Sequence, residues 1–266
     1  NAVKGGDVQL KLWKDEIDIR EKFPPTNNEY LNSWYAEQSL RELLTYRFFI
    51  QNGDYEYKDL LKIILTRSAR SARLTTHFDL DFPKEPQTEP YWCYKHSRTC
   101  VPVQEAFKFL KRYSKDTYKR IKAFDVVRTD ANVSIIHGDS REINYSKIDG
   151  LITSPPYVGL IDYHEQHAYA YALLDLEDRR TNEIGPAANG KSKSAIEEYQ
   201  NSITDVFRNS LKSIVPGGRM IVVAGDKHDL YPDIAENLSV DVEAIIKRHV
   251  NRRTGRRNSD FYESVF

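Results

Sequence analysis

Thr153-Ser154-Pro155-Pro156-Tyr157 is the stretch of this 266-residue chain whose residue types and order could best do chemistry. Two consecutive prolines remove two backbone donors and hold the chain extended. The carbonyls of Ser154 and Pro155 are then open to a ligand, and Ser154 Oγ adds an acceptor. Tyr157 offers a flat face to a ring. An acceptor pair beside a stacking face suits an exocyclic amino group on a nucleobase. The bland alternative is a rigid strand-to-loop turn with a packed tyrosine. Context favours chemistry: an apolar run directly precedes the motif, and an earlier one ends in Gly138-Asp139.

Such a motif needs elements to hold it. Asn132 to His137, Ile148 to Thr153 and Arg219 to Ala224 read as short buried strands. Helical patterns, His164 to Leu174 and Ser194 to Ile214, separate the later two. Strands alternating with helices predict a parallel α/β sheet. In such sheets ligands bind at the carboxyl ends of strands. The tail, Ser239 to His249 and Asp260 to Phe266, predicts a terminal antiparallel pair. Upstream, Ser39 to Ile50, Tyr57 to Arg67 and Val103 to Phe124 read as helices. Thr75 to Tyr91, with Pro83, Pro86 and Pro90, reads as an extended loop. The chain thus divides into a mainly helical region, 1–127, suited to target recognition, and an α/β part, 128–266.

Ser-Pro-Pro-Tyr after a buried strand resembles the fourth motif of the DNA amino-methyltransferases, and its Thr-Ser-Pro-Pro-Tyr form is most similar to the cytosine-N4 enzymes. The surrounding text is similar too: Gly138-Asp139-Ser140-Arg141-Glu142, Asp162-Tyr163-His164-Glu165-Gln166-His167, Glu183-Ile184-Gly185-Pro186, Gly217-Gly218 and the basic tail from Arg248. The resemblance implies a Rossmann-like methyltransferase sheet, of which strands three onward are visible. It implies methyl transfer from S-adenosylmethionine to the amino group of a base flipped out of duplex DNA. Ser154, Pro155, Pro156 and Tyr157 would be catalytic. Tyr157 would stack on the base, while Ser154 Oγ and the Pro155 carbonyl accept from its amino group. Asp139, Ser140 and Thr153 would lie near the cofactor, and Asp162 and Tyr163 near the base. As structural elements, Gly138-Asp139 is equally a turn and Asp162 a helix cap. Adenine-N6 transfer and a non-catalytic DNA-binding fragment are the alternatives. Related RNA-base and protein-glutamine enzymes usually carry Asn or Asp where Ser154 stands. Carbon-5 cytosine chemistry is excluded, because neither Cys93 nor Cys100 follows a proline.

One expected part is missing. The resemblance calls for a Phe-x-Gly-x-Gly turn after the first strand, and none occurs: Gly5-Gly6 follows no strand pattern, and the other glycine pairs have the wrong context. The first two strands are therefore expected upstream of Asn1, beyond Phe266 in a permuted chain, or on a partner subunit. The first is favoured because Asn1 is not a natural start.

Composition bounds the partners. Lys plus Arg equals Asp plus Glu at 39 each, so the chain is not globally basic. Charge is uneven, however. Tyr91 to Arg128 holds ten Lys/Arg against three acids, and Lys247 to Arg257 holds six and none. Arg67, Arg70 and Arg73, at three-residue spacing, and Arg252, Arg253, Arg256 and Arg257 have the composition of phosphate contacts to double-stranded DNA. A cognate restriction endonuclease is a further candidate partner. No apolar run is long enough to span a membrane and no signal peptide is visible, so a cytoplasmic setting is expected. Cys93-x-x-His96-x-x-x-Cys100 offers three zinc ligands, with His77 as a fourth. The preferred reading is two buried thiols and a surface imidazole, with no metal. His164 and His167 alone are too few for a metal site.

Overall fold

The computed structural model describes residues 26–77, 83–250 and 261–266, apart from the side chains of Val250 and Phe261. In chain order the elements are α1 (Glu29–Trp34), α2 (Glu37–Asn52), α3 (Lys58–Ala72), β1 (Tyr91–Cys93), β2 (Arg98–Cys100), α4 (Phe107–Asp125), β3 (Ile148–Thr153), α5 (Tyr163–Gln166), α6 (Ala168–Leu174), α7 (Lys193–Leu211), β4 (Ile214–Ala224), α8 (Leu230–Asn237), β5 (Ile246–Val250) and β6 (Phe261–Val265). The described residues form two compact units, one of those up to 130 together with 166–178, the other of 131–165 together with those from 179 onward.

The first unit is helical. Leu40, Leu43 and Ile50 of α2, Ile64 and Leu65 of α3, and Leu110 of α4 share one core with Tyr169 and Leu173 of α6. That shared core places 166–178 with the helices, although its position in the chain lies inside the α/β part. Asn28 Oδ1 accepts from Leu31 N at 3.0 Å and caps α1. The N-terminus of α4 is capped from a distance. Glu42 Oε2 on α2 accepts from Ala106 N and Phe107 N at 2.6 and 2.7 Å, a carboxylate at the positive end of the helix.

The second unit holds a four-stranded sheet in the order β3-β4-β6-β5. β3 and β4 are parallel, while β6 is antiparallel to both its neighbours. The expected terminal hairpin is present, shortened to β5 and β6. Tyr199, Ile203 and Phe207 of α7 pack with Val222 and Ala224 of β4 and Tyr231 and Ile234 of α8. Among the described residues no helix is long and apolar enough to cross a membrane.

Asn132 to His137 does not form the expected strand. The segment has no ladder, every residue in it is exposed, and Ile135 is 92% accessible. A strand is stable only when its backbone groups are paired and one face is covered. Among the described residues nothing does either here. β3 is short of a neighbour in the same way: it lies at the sheet edge, with Ile152 78% exposed. The parallel strands of the expected sheet are thus reduced to β3 and β4.

Candidate active site

Parallel pairing brings the carboxyl ends of β3 and β4 side by side. Thr153 pairs with Val222, so Ser154 starts where that ladder stops, next to Val223-Ala224-Gly225-Asp226. Ser154 is exposed, Pro155 buried, and Pro156 and Tyr157 half-buried. The motif therefore sits on the rim of the sheet, with Ser154 exposed and its first proline anchored.

A chain of hydroxyls fixes it from below. Tyr199 Oη donates to the Pro156 carbonyl at 2.7 Å, so the Tyr231 hydroxyl, 2.9 Å away, must donate to Tyr199. The first bond takes up the Pro156 carbonyl, one position beyond the Pro155 carbonyl implicated in chemistry. Burial pushes Tyr199 up to about 12, partly offset by the bond from Tyr231. Burial also carries Tyr231 well above the usual tyrosine range. Both therefore stay protonated and can donate throughout the ordinary pH range. Gly185 makes room for this contact. Its φ is +64°, and a Cβ there would stand 2.5 Å from Tyr199 Cδ2. Its carbonyl also accepts from Gly159 N at 3.0 Å, tying down the loop that follows the motif.

Tyr157 is held at its tip. Its hydroxyl donates to Glu263 Oε1 on β6 at 2.7 Å, and Glu263 Oε2 accepts from Arg248 on β5. Burial first, and then the Glu263 carboxylate, drive the phenol well above its ordinary value, with Ser154 pulling weakly the other way. Glu263 moves down, because the bonds from Tyr157 and Arg248 favour its charged form. The ring is thus held at its hydroxyl end. Tyr157, Tyr199, Gly225, Asp226 and Tyr231 line a small pocket beside the motif. Asp226 Oδ1 and Oδ2 accept from Leu230 N and Tyr231 N at 2.9 and 3.2 Å, so this strand-end acid anchors the start of α8.

The other expected site residues have more local roles. Asp139 Oδ1 accepts from Arg141 N at 2.9 Å, and the Arg141 guanidinium grips both carboxylate oxygens. That grip holds the Asp139 carboxyl below the usual carboxylate range. Asp139 is here the turn-forming Asx residue. The Ser140 carbonyl accepts from Asn209 Nδ2 at 3.2 Å, and Thr153 lies within the β3–β4 ladder. Asp162 Oδ1 accepts from Ala188 N at 3.1 Å and fastens the turn Ala187–Asn189. The cap of α5 comes instead from Glu183, whose carboxylate accepts from Tyr163 N and His164 N. Tyr163 is 41% exposed and near enough to Tyr157 to help raise that phenol.

Arg67, Arg70 and Arg73, despite their three-residue spacing, do not share one helix face. α3 ends at Ala72, and Arg73 leaves the helix with extended backbone. Arg73 is 3% exposed and lies over the rings of Tyr169 and Trp34, at 4.8 and 5.9 Å from their centroids. Arg67 donates to Asp116 and Thr117 at 2.7 and 3.0 Å and lies 4.4 Å over Tyr113. Both guanidiniums are packing elements of the helical unit rather than presented charges, whereas Arg70 is exposed. Arg252, Arg253, Arg256 and Arg257 lie outside the described residues. Glu263, Tyr199 and Tyr231 support the motif but carry no local sequence signal: Glu263 lies 106 positions from Tyr157.

The Asp139 carboxylate is taken up by Arg141, and among the described residues β3 has no neighbour on the edge where a glycine-turn strand would be needed. The described residues do not form a cradle for S-adenosylmethionine.

The chain is similar to the Type II methyltransferase M.MjaII of Methanocaldococcus jannaschii, with 41% identity over 269 residues covering 95% of this chain and 50% of that protein. It is therefore a homologue of a Type II methyltransferase over almost all of its own length, and it spans about half the length of that relative. No family model and no solved structure matches it.

Proposed function

We propose that this chain is the base-binding part of an S-adenosylmethionine-dependent DNA amino-methyltransferase, acting on cytosine N4 in preference to adenine N6. The observation that carries the reading is the Ser154-Pro155-Pro156-Tyr157 rim, set at the carboxyl end of a parallel strand and braced by Tyr199 and Glu263. The similarity to M.MjaII supports the reaction class, and the serine at position 154 favours cytosine.

In this reading Tyr157, pinned by Glu263, stacks on a base swung out of the duplex. Ser154 Oγ and the Pro155 carbonyl accept the two amino hydrogens. Holding both hydrogens draws the nitrogen lone pair out of conjugation with the ring and fixes its direction. Catalysis by such a site is positioning and electrostatic preorganisation. S-adenosylmethionine would supply the methyl group, and its glycine turn would arrive on strands that add to the open edge of β3. Those strands belong to a further segment of polypeptide or a partner subunit. Double-stranded DNA is the proposed partner, met by the exposed Arg70 and the basic 247–257 segment, in a cytoplasmic setting; a cognate restriction endonuclease is a further one.

Labelled S-adenosylmethionine and unmodified DNA provide the test, with the 266 residues assayed alone and with any flanking sequence their gene encodes. Labelled N4-methylcytosine is expected among the digested nucleosides. N6-methyladenine would transfer the reading to adenine, and no label in either form of the protein would overturn it.

A further inference from the structure

A second cluster of reactive side chains lies away from the motif, in the helical unit. Cys93 and Cys100 belong to the β1–β2 hairpin. Tyr91 pairs with Cys100 and Cys93 with Arg98, so the two cysteines are diagonal neighbours on one face of the ribbon. The hairpin turn brings round His96, whose N–H donates to the Cys93 carbonyl at 3.1 Å. His77 approaches from the end of the preceding segment, with its N–H donating to Tyr91 Oη at 3.1 Å. One donor atom from each of His77, Cys93, His96 and Cys100 lies within 4.8 Å of every other.

The spacing is that of a coordination shell. Zinc bound tetrahedrally, at about 2.3 Å to sulfur and about 2.0–2.1 Å to nitrogen, sets its N and S donors roughly 3.5–3.6 Å apart. Cys93 Sγ is 3.4 Å from His77 Nδ1 and 3.6 Å from His96 Nδ1, and Cys100 Sγ is 3.5 Å from His96 Nδ1. The two imidazoles stand edge to face, with centroids 4.5 Å apart.

Burial points the same way. Among residues 83–101, Cys93 and Cys100 are the buried ones. Trp92 and Tyr94, which could have packed, are 55% and 78% exposed. Two three-residue strands cannot hold themselves together in water. This hairpin has no apolar core, and its interior is two thiols facing two imidazoles. A small element of that kind needs a staple.

We propose that His77, Cys93, His96 and Cys100 bind one structural zinc ion that locks the hairpin to the end of the segment following α3. Binding replaces the two thiol protons, which pass to solvent, and two thiolates with two neutral imidazoles balance the divalent charge. All four positions are filled by protein, so the ion has no open site for catalysis. The expectation of plain buried thiols is replaced by a closed Cys2His2 centre. The inference stands apart from the methyl-transfer reading.

The test is metal analysis of the whole chain, purified without chelator, followed by cobalt(II) substitution. About one zinc per chain is expected, as are the visible bands of tetrahedral cobalt and thiolate-to-metal charge transfer. C93S and C100S should lose both signals. Because the buried thiols are also packing residues, H77A and H96A, whose side chains are more accessible, are the controls. They should keep native far-ultraviolet dichroism while losing zinc. Chelation of the wild-type chain should speed amide exchange across 91–100 by roughly tenfold or more. A chain folded without metal and lacking cobalt bands would overturn the site, as would a Cys93–Cys100 disulfide seen as a mass lower by two hydrogens.

Discussion

Replacing Tyr199 by phenylalanine removes one oxygen and leaves the packing of α7 against β4 in place. That oxygen accepts from Tyr231 and donates to the Pro156 carbonyl, at 2.9 and 2.7 Å. Tyr231 is 5% exposed, so its hydroxyl is left without an acceptor in a buried setting, at about 1–3 kcal/mol. The Pro156 carbonyl is half-buried and can recruit water, so losing its bond costs about 0.5–1 kcal/mol. The total, about 1.5–4 kcal/mol, falls on the loop that carries the motif. The companion variant Y231F keeps the bond to Pro156 and loses one neutral hydrogen bond, about 1 kcal/mol. Hydrogen exchange of peptides covering residues 152–160 and α7 reads the difference. Y199F should accelerate exchange about 10-fold or more, and Y231F about 5-fold. Equal effects from the two variants, or unchanged exchange over 152–160 in Y199F, would refute the directed hydroxyl chain.

Two other predictions concern charge. Glu263 has a folded pKa below its unfolded value, because Tyr157 and Arg248 bond its charged form. The stability it contributes is therefore full above the ordinary glutamate range and lost as pH falls through the depressed folded value. An acid titration of wild type against E263Q should show the wild-type advantage shrinking below about pH 4.5 and absent once Glu263 is protonated. Because Arg73 is buried over two aromatic rings, R73M should lower the stability of the helical unit by about 1–3 kcal/mol in urea denaturation. It should leave the salt slope of DNA binding unchanged, whereas loss of a phosphate contact would reduce that slope.

What the sequence made legible follows from how local each signal is. The strand before the motif, the helices of the first unit and the terminal hairpin each announce themselves within a dozen residues, through periodicity, prolines and glycines. Ser154-Pro155-Pro156-Tyr157 was legible for the same reason: its rigidity and acceptors are written in consecutive residues. Asn132 to His137 has a convincing strand composition, but a strand exists only with a neighbour, and composition cannot report on a neighbour. Arg73 looked like a third member of a basic face because spacing describes an endless helix, whereas α3 stops at Ala72. The supports at Tyr199, Tyr231 and Glu263 were illegible because each meets the motif only through the folded sheet. The proposed metal ligands fell in between. Three are close in sequence, but only the hairpin register shows that Cys93 and Cys100 share a face.

The central claim is that Ser154 holds the amino group that is methylated. The direct measurement is the single-turnover rate of methyl transfer to DNA by S154A against wild type, in a form of the protein that methylates DNA. Ser154 is exposed, so losing its bond to the Tyr157 hydroxyl should cost about 1 kcal/mol or less, and the two proteins should unfold nearly alike. The account predicts that transfer falls by roughly 100-fold or more, the scale of losing one preorganised hydrogen-bonding group in an active site. A serine-to-alanine protein that transfers at the wild-type rate would contradict it.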